Sequence, residues 1–195
     1  MSQLQQSILE SINLKKKLIT NENEINKSIN TIYKSIKKGG KVFLCGNGGS
    51  AADAQHLAAE FVVRLRPNFN RKGIPAISLS SDTSIITACA NDYGFKEVFS
   101  RGLQALYKKN EILIAISTSG KSENITEVLK FCKKNNIESI AFLGSGGGKA
   151  KKLCNTSIVI NSKVTARIQE MHIFLGHFIF ESVEDLLFGR KKNKK

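Results

Sequence analysis

Five short apolar runs, separated by stretches with helical periodicity, constrain the fold of this chain more than any other feature. The runs lie at 42–45, 76–79, 112–116, 140–143 and 158–160, and each ends near Gly, Ser or Asn. Continuous apolar strands are typical of a parallel sheet that helices cover on both faces. The pattern therefore predicts a three-layer α/β/α sandwich around a five-stranded parallel sheet, for which we expect the flavodoxin-like strand order.

The residues before the first strand also have helical spacing. Apolar side chains recur at Leu4, Ile8 and Ile12, and again from Ile25 to Ile36, before Gly39 and Gly40 interrupt the pattern. This predicts two helices, or one bent helix. With no internal repeat and no long linker, we expect residues 1–195 to form a single domain, with an N-terminal helical segment at 1–38 and a basic tail at 189–195.

The last predicted helix, at 164–188, is apolar on nearly all sides. Apolar residues such as Ile168, Phe174, Phe178 and Leu186 cover more than one stripe of it. A helix of this kind must be buried on several sides. In a domain of this size that predicts a subunit interface, and so an oligomer.

Composition favours a small anionic ligand over a nucleic acid or a membrane. The formal net charge is +14 at pH 7, but the basic residues are widely spread, and three Tyr and no Trp leave few aromatic rings for stacking on bases. The longest apolar run is too short to span a bilayer. Four well-separated cysteines and an N-terminus without a signal-peptide pattern lead us to expect a cytoplasmic protein with reduced thiols.

The segment after the first predicted strand is the strongest indication of chemistry. Gly46-Asn47-Gly48-Gly49-Ser50 precedes a helix that carries His56 and Glu60. A glycine-rich turn that opens a helix gathers unpaired backbone N–H groups at the positive helix end, which suits a phosphate. His56 and Glu60 share one face of the helix. The combination indicates proton chemistry on a phosphorylated metabolite, or a metal site.

A second polar loop follows the third predicted strand. It reads Ser117-Thr118-Ser119-Gly120-Lys121-Ser122 and precedes another helix, with Ser122 as the expected N-cap. Its hydroxyls and backbone donors would form a second anion cradle. The first and third strands are neighbours in the flavodoxin-like order, so we expect the loops that begin at Asn47 and Ser117 to face one crevice. The glycines at 144–148 are interpreted as a turn.

These features also have simpler interpretations. Glu60 could pair with Arg64 as a solvated ion pair at helical spacing. Gly46-x-Gly48-x-x-Ala51 matches the spacing of a dinucleotide fingerprint, but no acidic residue follows near the end of the second strand at the required distance. His177 is harder to dismiss, because an imidazole within an apolar helix needs a partner.

Five motifs in order along nearly the whole chain extend this interpretation. They are Cys45-Gly-Asn-Gly-Gly-Ser50, Asp53-Ala-Gln-His56 with Glu60, Asn91-Asp-Tyr-Gly-Phe95, Ile116-Ser-Thr-Ser-Gly120 with Ser122, and Arg167-Ile-Gln-Glu170 with His172 and His177. Each motif alone is generic. Together they are specific, and the chain resembles the phosphoheptose isomerase family of sugar isomerase (SIS) domain proteins.

The resemblance implies a homotetramer that converts D-sedoheptulose 7-phosphate to D-glycero-D-manno-heptose 7-phosphate, the first step of heptose synthesis for bacterial surface polysaccharide such as lipopolysaccharide or capsule. It implies a phosphate site formed by Ser117, Thr118, Ser119 and Ser122. It implies substrate contacts from Asn47, Gly48, Gly49, Glu60, Asn91, Asp92 and Gln169. One zinc ion per subunit would be held by His56, Glu60, Gln169 and His177, with Glu60 and His177 as the proton-transfer groups.

Two points qualify the site. An Asp is expected in many relatives at the position of Ala166, three residues before Gln169. Gln169 and His177 would lie about 12 Å apart along an ideal helix, a geometry that favours pairing Gln169 with His172, whereas the resemblance favours His177. The alternative function is a non-catalytic SIS-fold binding protein of the initiator-associating type, which would not need Glu60 and His177.

Overall fold

A five-stranded, wholly parallel sheet forms the centre of the molecule. The computed structural model describes residues 1–189, so the predicted basic tail lies outside the described residues from position 190 onward. The strands are β1 (Val42–Gly46), β2 (Ala76–Ser78), β3 (Ile112–Ser117), β4 (Glu138–Gly144) and β5 (Thr156–Ile160). Their order is β2-β1-β3-β4-β5. The predicted flavodoxin-like sheet is therefore confirmed.

Seven α-helices occur in the described part of the chain. They are α1 (Gln3–Lys17), α2 (Glu22–Lys37), α3 (Gly49–Val62), α4 (Thr83–Tyr93), α5 (Val98–Leu106), α6 (Glu123–Lys134) and α7 (Thr165–Phe188). A 3₁₀ turn at Leu18–Asn21 separates α1 from α2. The N-terminal segment thus contains two helices rather than one bent helix. That residues 1–195 make a single domain stays a prediction.

Alternation along the strands divides the core into two layers. Leu44, Ile114 and Phe142 point to the face that α2, α3 and α7 cover, and they pack in one buried cluster with Leu57 and Phe180. Their neighbours Phe43, Leu113 and Ala141 belong to a second cluster on the other face, beneath α4, α5 and α6. Both faces of the sheet are therefore covered, which confirms the three-layer sandwich.

Helices α3 and α7 lie side by side and run in the same direction. Phe61 stacks on Phe180 with ring centroids 3.6 Å apart. One turn earlier, the two backbones approach so closely that a Cβ at Gly176 would lie 2.5 Å from Leu57 Cδ1. This packing fixes which residue of α3 lies opposite which residue of α7.

Apolar side chains remain exposed on the outside of this layer. Helix α1 has no buried residue and exposes Leu4, Ile8 and Ile12. Helix α7 exposes Phe174 and Phe178, whose rings stack on one another. Oligomer formation stays a prediction that this surface favours. Within residues 1–189, no helix combines the length and apolar character that a membrane span requires.

Candidate active site

The two loops predicted to share a crevice do meet. The register of β1 and β3 places Gly46 opposite Ile116, so the loops that follow the two strands leave the same edge of the sheet. Asn47 Nδ2 donates to Asn124 Oδ1 at 2.8 Å, and Asn124 Nδ2 donates back to Asn47 Oδ1 at 2.8 Å. This pair joins the loop after β1 to the first turn of α6. Asn124 was not recognised from the sequence, where its only signal is its place two residues after Ser122.

The loop after β3 is held by its own hydroxyls. Ser117 Oγ accepts from the backbone N–H of Gly120 at 3.1 Å, and Ser119 Oγ accepts from that of Lys121 at 3.1 Å. Ser122 occupies the N-cap position of α6 as expected, but its side chain makes no cap hydrogen bond. The first N–H groups of α6 point out of the helix N-terminus, and the hydroxyls of Ser122 and the partly exposed Thr118 lie near them in sequence. Such an arrangement of donors suits a phosphate.

The glycine turn after β4 packs against this loop. The backbone N–H of Ala150 donates to Gly120 O at 3.0 Å. A Cβ at Gly148 would lie 2.5 Å from Gly120 O and 2.8 Å from Ser119 O. The turn predicted at 144–148 is present, and it also packs directly against the second anion loop.

Three side chains that the sequence singled out converge between α3 and α7. His56 Nε2 lies 2.8 Å from His177 Nε2, and it lies 3.5 Å from Glu60 Oε1. One potential ligand atom from each residue lies within 4.8 Å of the others. Glu60 thus pairs with His56, and among the described residues no ion pair joins it to Arg64.

This donor set fits a metal ion. Two imidazoles and one carboxylate form a common set of protein ligands for catalytic zinc, with one position left open. The two facing Nε2 atoms cannot both carry a proton at 2.8 Å, so at least one presents a lone pair. Burial lowers the pKa of His177, as does the nearby His56, while Glu60 and Glu181 oppose the shift. His177 therefore favours the neutral form, which accepts a proton or binds a metal.

Buried ion pairs and hydrogen bonds hold the C-terminal part of α3 against the C-terminal part of α7. Arg71 donates to the carbonyls of Glu60 and Phe61 at 2.8 Å each, and its Nε donates to Glu184 Oε1 at 2.6 Å. Arg66 donates to the other Glu184 oxygen at 3.1 Å. The Arg71 and Glu184 side chains are each 1% exposed. Because Arg71 caps the last turn of α3 and binds α7, it helps to set the position of Glu60 relative to His177.

Gln169 does not join the cluster within one chain. Its amide packs against the backbone of Gly49, so closely that a Cβ there would overlap it. Gly49 begins α3, and on an ideal helix His56 lies about 10 Å and Glu60 about 16 Å further along. The role of Gln169 as a metal ligand stays a prediction. His172, the alternative partner from helix geometry, is fully buried near Phe142 and away from solvent.

The same helix geometry separates the cluster from the crevice. The Asn47 loop lies at the start of α3, whereas His56 and Glu60 lie two to three turns beyond it. From the sequence, both parts were expected beside one substrate molecule. In one chain they lie on different parts of the surface.

The remaining predicted contacts, Asn91 and Asp92, lie exposed at the end of α4. Asn91 Nδ2 donates to Asp92 Oδ1 at 2.9 Å, and no hydrogen bond within residues 1–189 joins either side chain to the two loops. From the sequence, Asp53 was named only as part of a motif and was given no role of its own. It lies one turn before His56, one of its carboxylate oxygens is buried without a hydrogen-bond partner, and burial raises its pKa.

Comparison with known proteins gives a consistent result. The model of the SIS domain family matches residues 8–144. The chain is 44% identical to the phosphoheptose isomerase of Clostridium acetobutylicum over 191 residues, 96% of each protein. It is 48% identical to phosphoheptose isomerase 2 of Campylobacter jejuni, over 93% of this chain and 90% of that one. Among solved structures, phosphoheptose isomerase from Neisseria gonorrhoeae superposes with a TM-score of 0.86 at 34% identity, covering 93% of this chain and 97% of that one.

Proposed function

We propose that this chain, which belongs to the phosphoheptose isomerase family of SIS-domain proteins, converts D-sedoheptulose 7-phosphate to D-glycero-D-manno-heptose 7-phosphate. The observation that carries the proposal is the convergence of His56, Glu60 and His177 within 4.8 Å. Conversion of a ketose to an aldose requires a base for a carbon-bound proton and a group that moves protons between oxygens. A carboxylate beside a neutral imidazole supplies both.

Glu60 acts as the base in this mechanism. Its carboxylate removes a proton from C1 of the ketose, which leaves an enediol, and returns a proton to C2. His177 moves a proton between the oxygens on C1 and C2, so that the C2 carbonyl becomes a hydroxyl and the C1 hydroxyl becomes an aldehyde. No atom is gained or lost, and no external oxidant is needed.

We further propose that His56, Glu60 and His177 hold zinc. When bound there, zinc would polarise the substrate carbonyl and stabilise the negative charge that develops on its oxygen. The open coordination position that a three-residue set leaves is typical of catalytic zinc sites. Gln169 is retained as a candidate fourth ligand, which would have to come from another subunit or from a rearranged first turn of α7.

The phosphate of the substrate is assigned to the loop after β3. Ser117, Thr118, Ser119 and Ser122 supply hydroxyls there, and the first turn of α6 supplies backbone N–H groups. Asn47, Gly48 and Gly49 would contact the sugar from the neighbouring loop. Asn91 and Asp92 are also proposed to contact the sugar.

A homotetramer would bring the acid–base cluster of one subunit close to the phosphate loop of another. The acid–base cluster and the phosphate loop lie two to three helical turns apart in one chain, so we place the parts that act on one substrate molecule on different subunits. The exposed apolar residues of α1 and α7 favour such assembly. Light scattering should detect an oligomer, and a monomer at micromolar concentration would contradict this part of the proposal.

The biological setting is proposed from the family. The product would enter heptose synthesis for a surface polysaccharide, either lipopolysaccharide or capsule, in the cytoplasm. All four cysteines are free, as a reducing compartment favours.

The decisive experiment incubates the purified protein with sedoheptulose 7-phosphate, with and without added zinc, and detects the aldose product by NMR. We expect turnover that a chelator abolishes and zinc restores. Turnover that a chelator does not affect, together with no bound metal by elemental analysis, would reject zinc and leave the isomerase intact. No turnover with substrate binding preserved would favour the non-catalytic binding protein.

A further inference from the structure

The amide pair between Asn47 and Asn124 connects the loop after β1 to the first turn of α6, and the proposed function assigns these two elements to different parts of the substrate. Asn124 is 2% exposed, and it lies in the first turn of α6, two residues after Ser122. Asn47 lies 77 residues earlier, at the turn into α3. Both hydrogen bonds of the pair are 2.8 Å long, a good distance for an N–H···O bond.

The two hydrogen bonds of the pair require a carboxamide side chain at each of the two positions. Each carboxamide donates one N–H and accepts at its oxygen, so a carboxylate or an apolar side chain at either position cannot reproduce both bonds. The oxygen of Asn47 faces a donor and its nitrogen faces an acceptor, which fixes the orientation of its amide relative to that of the buried Asn124. Each amide keeps one further N–H and one lone pair for another partner.

The backbone at Asn47 is held by α3 as well. Its carbonyl accepts from the N–H of Ser50 at 3.0 Å, as part of the turn that begins the helix. The main chain of Asn47 is thus set by α3, whereas its side chain is set by α6. A rotation of the Asn47 amide requires that the buried Asn124 loses its partner, which is unfavourable.

We propose that Asn124 is a positioning residue that holds the Asn47 amide in the orientation that contacts the sugar of the substrate. This rests on the proposed function, in which Asn47 contacts the sugar and the loop after β3 holds the phosphate. Asn124 acts through Asn47 and does not itself touch the substrate. Because it lies on the helix whose N-terminus binds phosphate, it makes recognition of the sugar depend on the same element that recognises the phosphate.

The test compares two ligands. Binding of sedoheptulose 7-phosphate and of inorganic phosphate is measured by calorimetry for the wild type, Asn124→Ala, Asn47→Ala and the double variant. Asn124→Ala should weaken binding of the sugar phosphate by about tenfold and change binding of inorganic phosphate by less than about twofold. In the Asn47→Ala background, Asn124→Ala should add almost nothing, because the amide that it positions is already absent.

Matched variants separate positioning from damage to the helix. Asn135→Ala removes an amide at the exposed end of α6 whose one hydrogen-bond partner within residues 1–189 is Phe131 O, and it should bind both ligands as the wild type does. Asn124→Thr nearly keeps the side-chain volume, removes the carboxamide and adds no charge beside the proposed phosphate loop. It provides the same comparison if Asn124→Ala does not fold. In turnover assays, KM should rise with a smaller change in kcat.

Three results would overturn the inference: equal weakening of both ligands, unchanged binding of the sugar phosphate, or additive effects of the two substitutions. The proposed function fails separately. A wild type that binds sedoheptulose 7-phosphate without turning it over would reject the isomerase, and the binding measurements would still decide the role of Asn124. A wild type that does not bind the sugar phosphate would reject both.

Discussion

The proposed phosphate loop (Ser117–Ser122) and the proposed acid–base cluster (His56, Glu60 and His177) are built in opposite ways. The loop after β3 is continuous in sequence, and its shape comes from local hydrogen bonds such as those of Ser117 and Ser119 to backbone N–H groups three and two residues on. The cluster joins His56 to His177, 121 residues apart, and it depends on how α3 packs on α7. The proposed binding loop therefore depends on local backbone structure, whereas the proposed catalytic cluster depends on the packing of helices that are distant in sequence.

Removal of the proposed base should reduce activity more than any other single substitution. Glu60→Gln keeps the size of the side chain but removes the carboxylate that is proposed to accept the C1 proton. We expect kcat to fall by roughly 10²–10⁴-fold. Affinity for inorganic phosphate, measured by calorimetry, should not change, because the phosphate loop is built independently. Full activity in this variant would refute the role of Glu60 as the base.

Arg71→Leu should disrupt the packing on which the cluster depends. The variant leaves Glu184 buried with only Arg66 as a partner and leaves the last carbonyls of α3 uncapped. Removing one member of a buried charge pair typically costs about 3–5 kcal/mol, which urea unfolding would measure. Lys72→Leu removes a neighbouring exposed charge and serves as the control. Equal stability of the two variants would show that the Arg71–Glu184 contact does not hold α3 against α7.

The difference between the two parts explains what could be predicted from the sequence. The loop between β3 and α6 was predictable because Ser117–Ser122 combines hydroxyls, a glycine and a helix start within six residues. The strands were predictable from their apolar runs, but β4 begins at Glu138 and β5 at Thr156, before the apolar residues. Polar residues at the amino-terminal edge of the sheet still form ladder bonds, and so an apolar pattern misses them.

Contacts between residues that are far apart in the sequence could not be predicted from it. Nothing in the spacing of Arg71 and Glu184 indicates that they meet, because they lie on a loop and on a helix 113 residues apart. The same holds for Asn47 with Asn124, whose contact follows only from the neighbouring positions of β1 and β3. His56 and Glu60 could be grouped by helical spacing, but the addition of His177 came from the family resemblance.

Acid should destabilise the folded protein through a buried histidine on α7. Burial of His172 lowers its pKa from 6.5 to about 4. The unfolded chain therefore binds this proton more readily than the folded one, so stability is complete above the unfolded pKa and declines as pH falls from 6.5 toward 4. The contribution amounts to about 3 kcal/mol at the acid end. Urea unfolding across this range should show a shallower slope for His172→Gln, and an unchanged slope would exclude His172 as the source.

Substitutions in the glycine turn after β4 should have a smaller effect, and they test whether the proposed phosphate loop is independent of α3 and α7. Gly148 and Gly146 both have positive φ, at 52° and 79°, but a Cβ at Gly146 would meet no atom within 4 Å. Gly148→Ala would press on Gly120 O and Ser119 O, and it should weaken binding of inorganic phosphate by about tenfold. Gly146→Ala should bind phosphate as the wild type does. In both variants the affinity for added zinc, which we propose binds at His56, Glu60 and His177, should stay unchanged, because other helices hold these residues. A parallel loss of zinc affinity in Gly148→Ala would show that the two parts are coupled through the first turn of α7, where Ile168 also approaches Gly144.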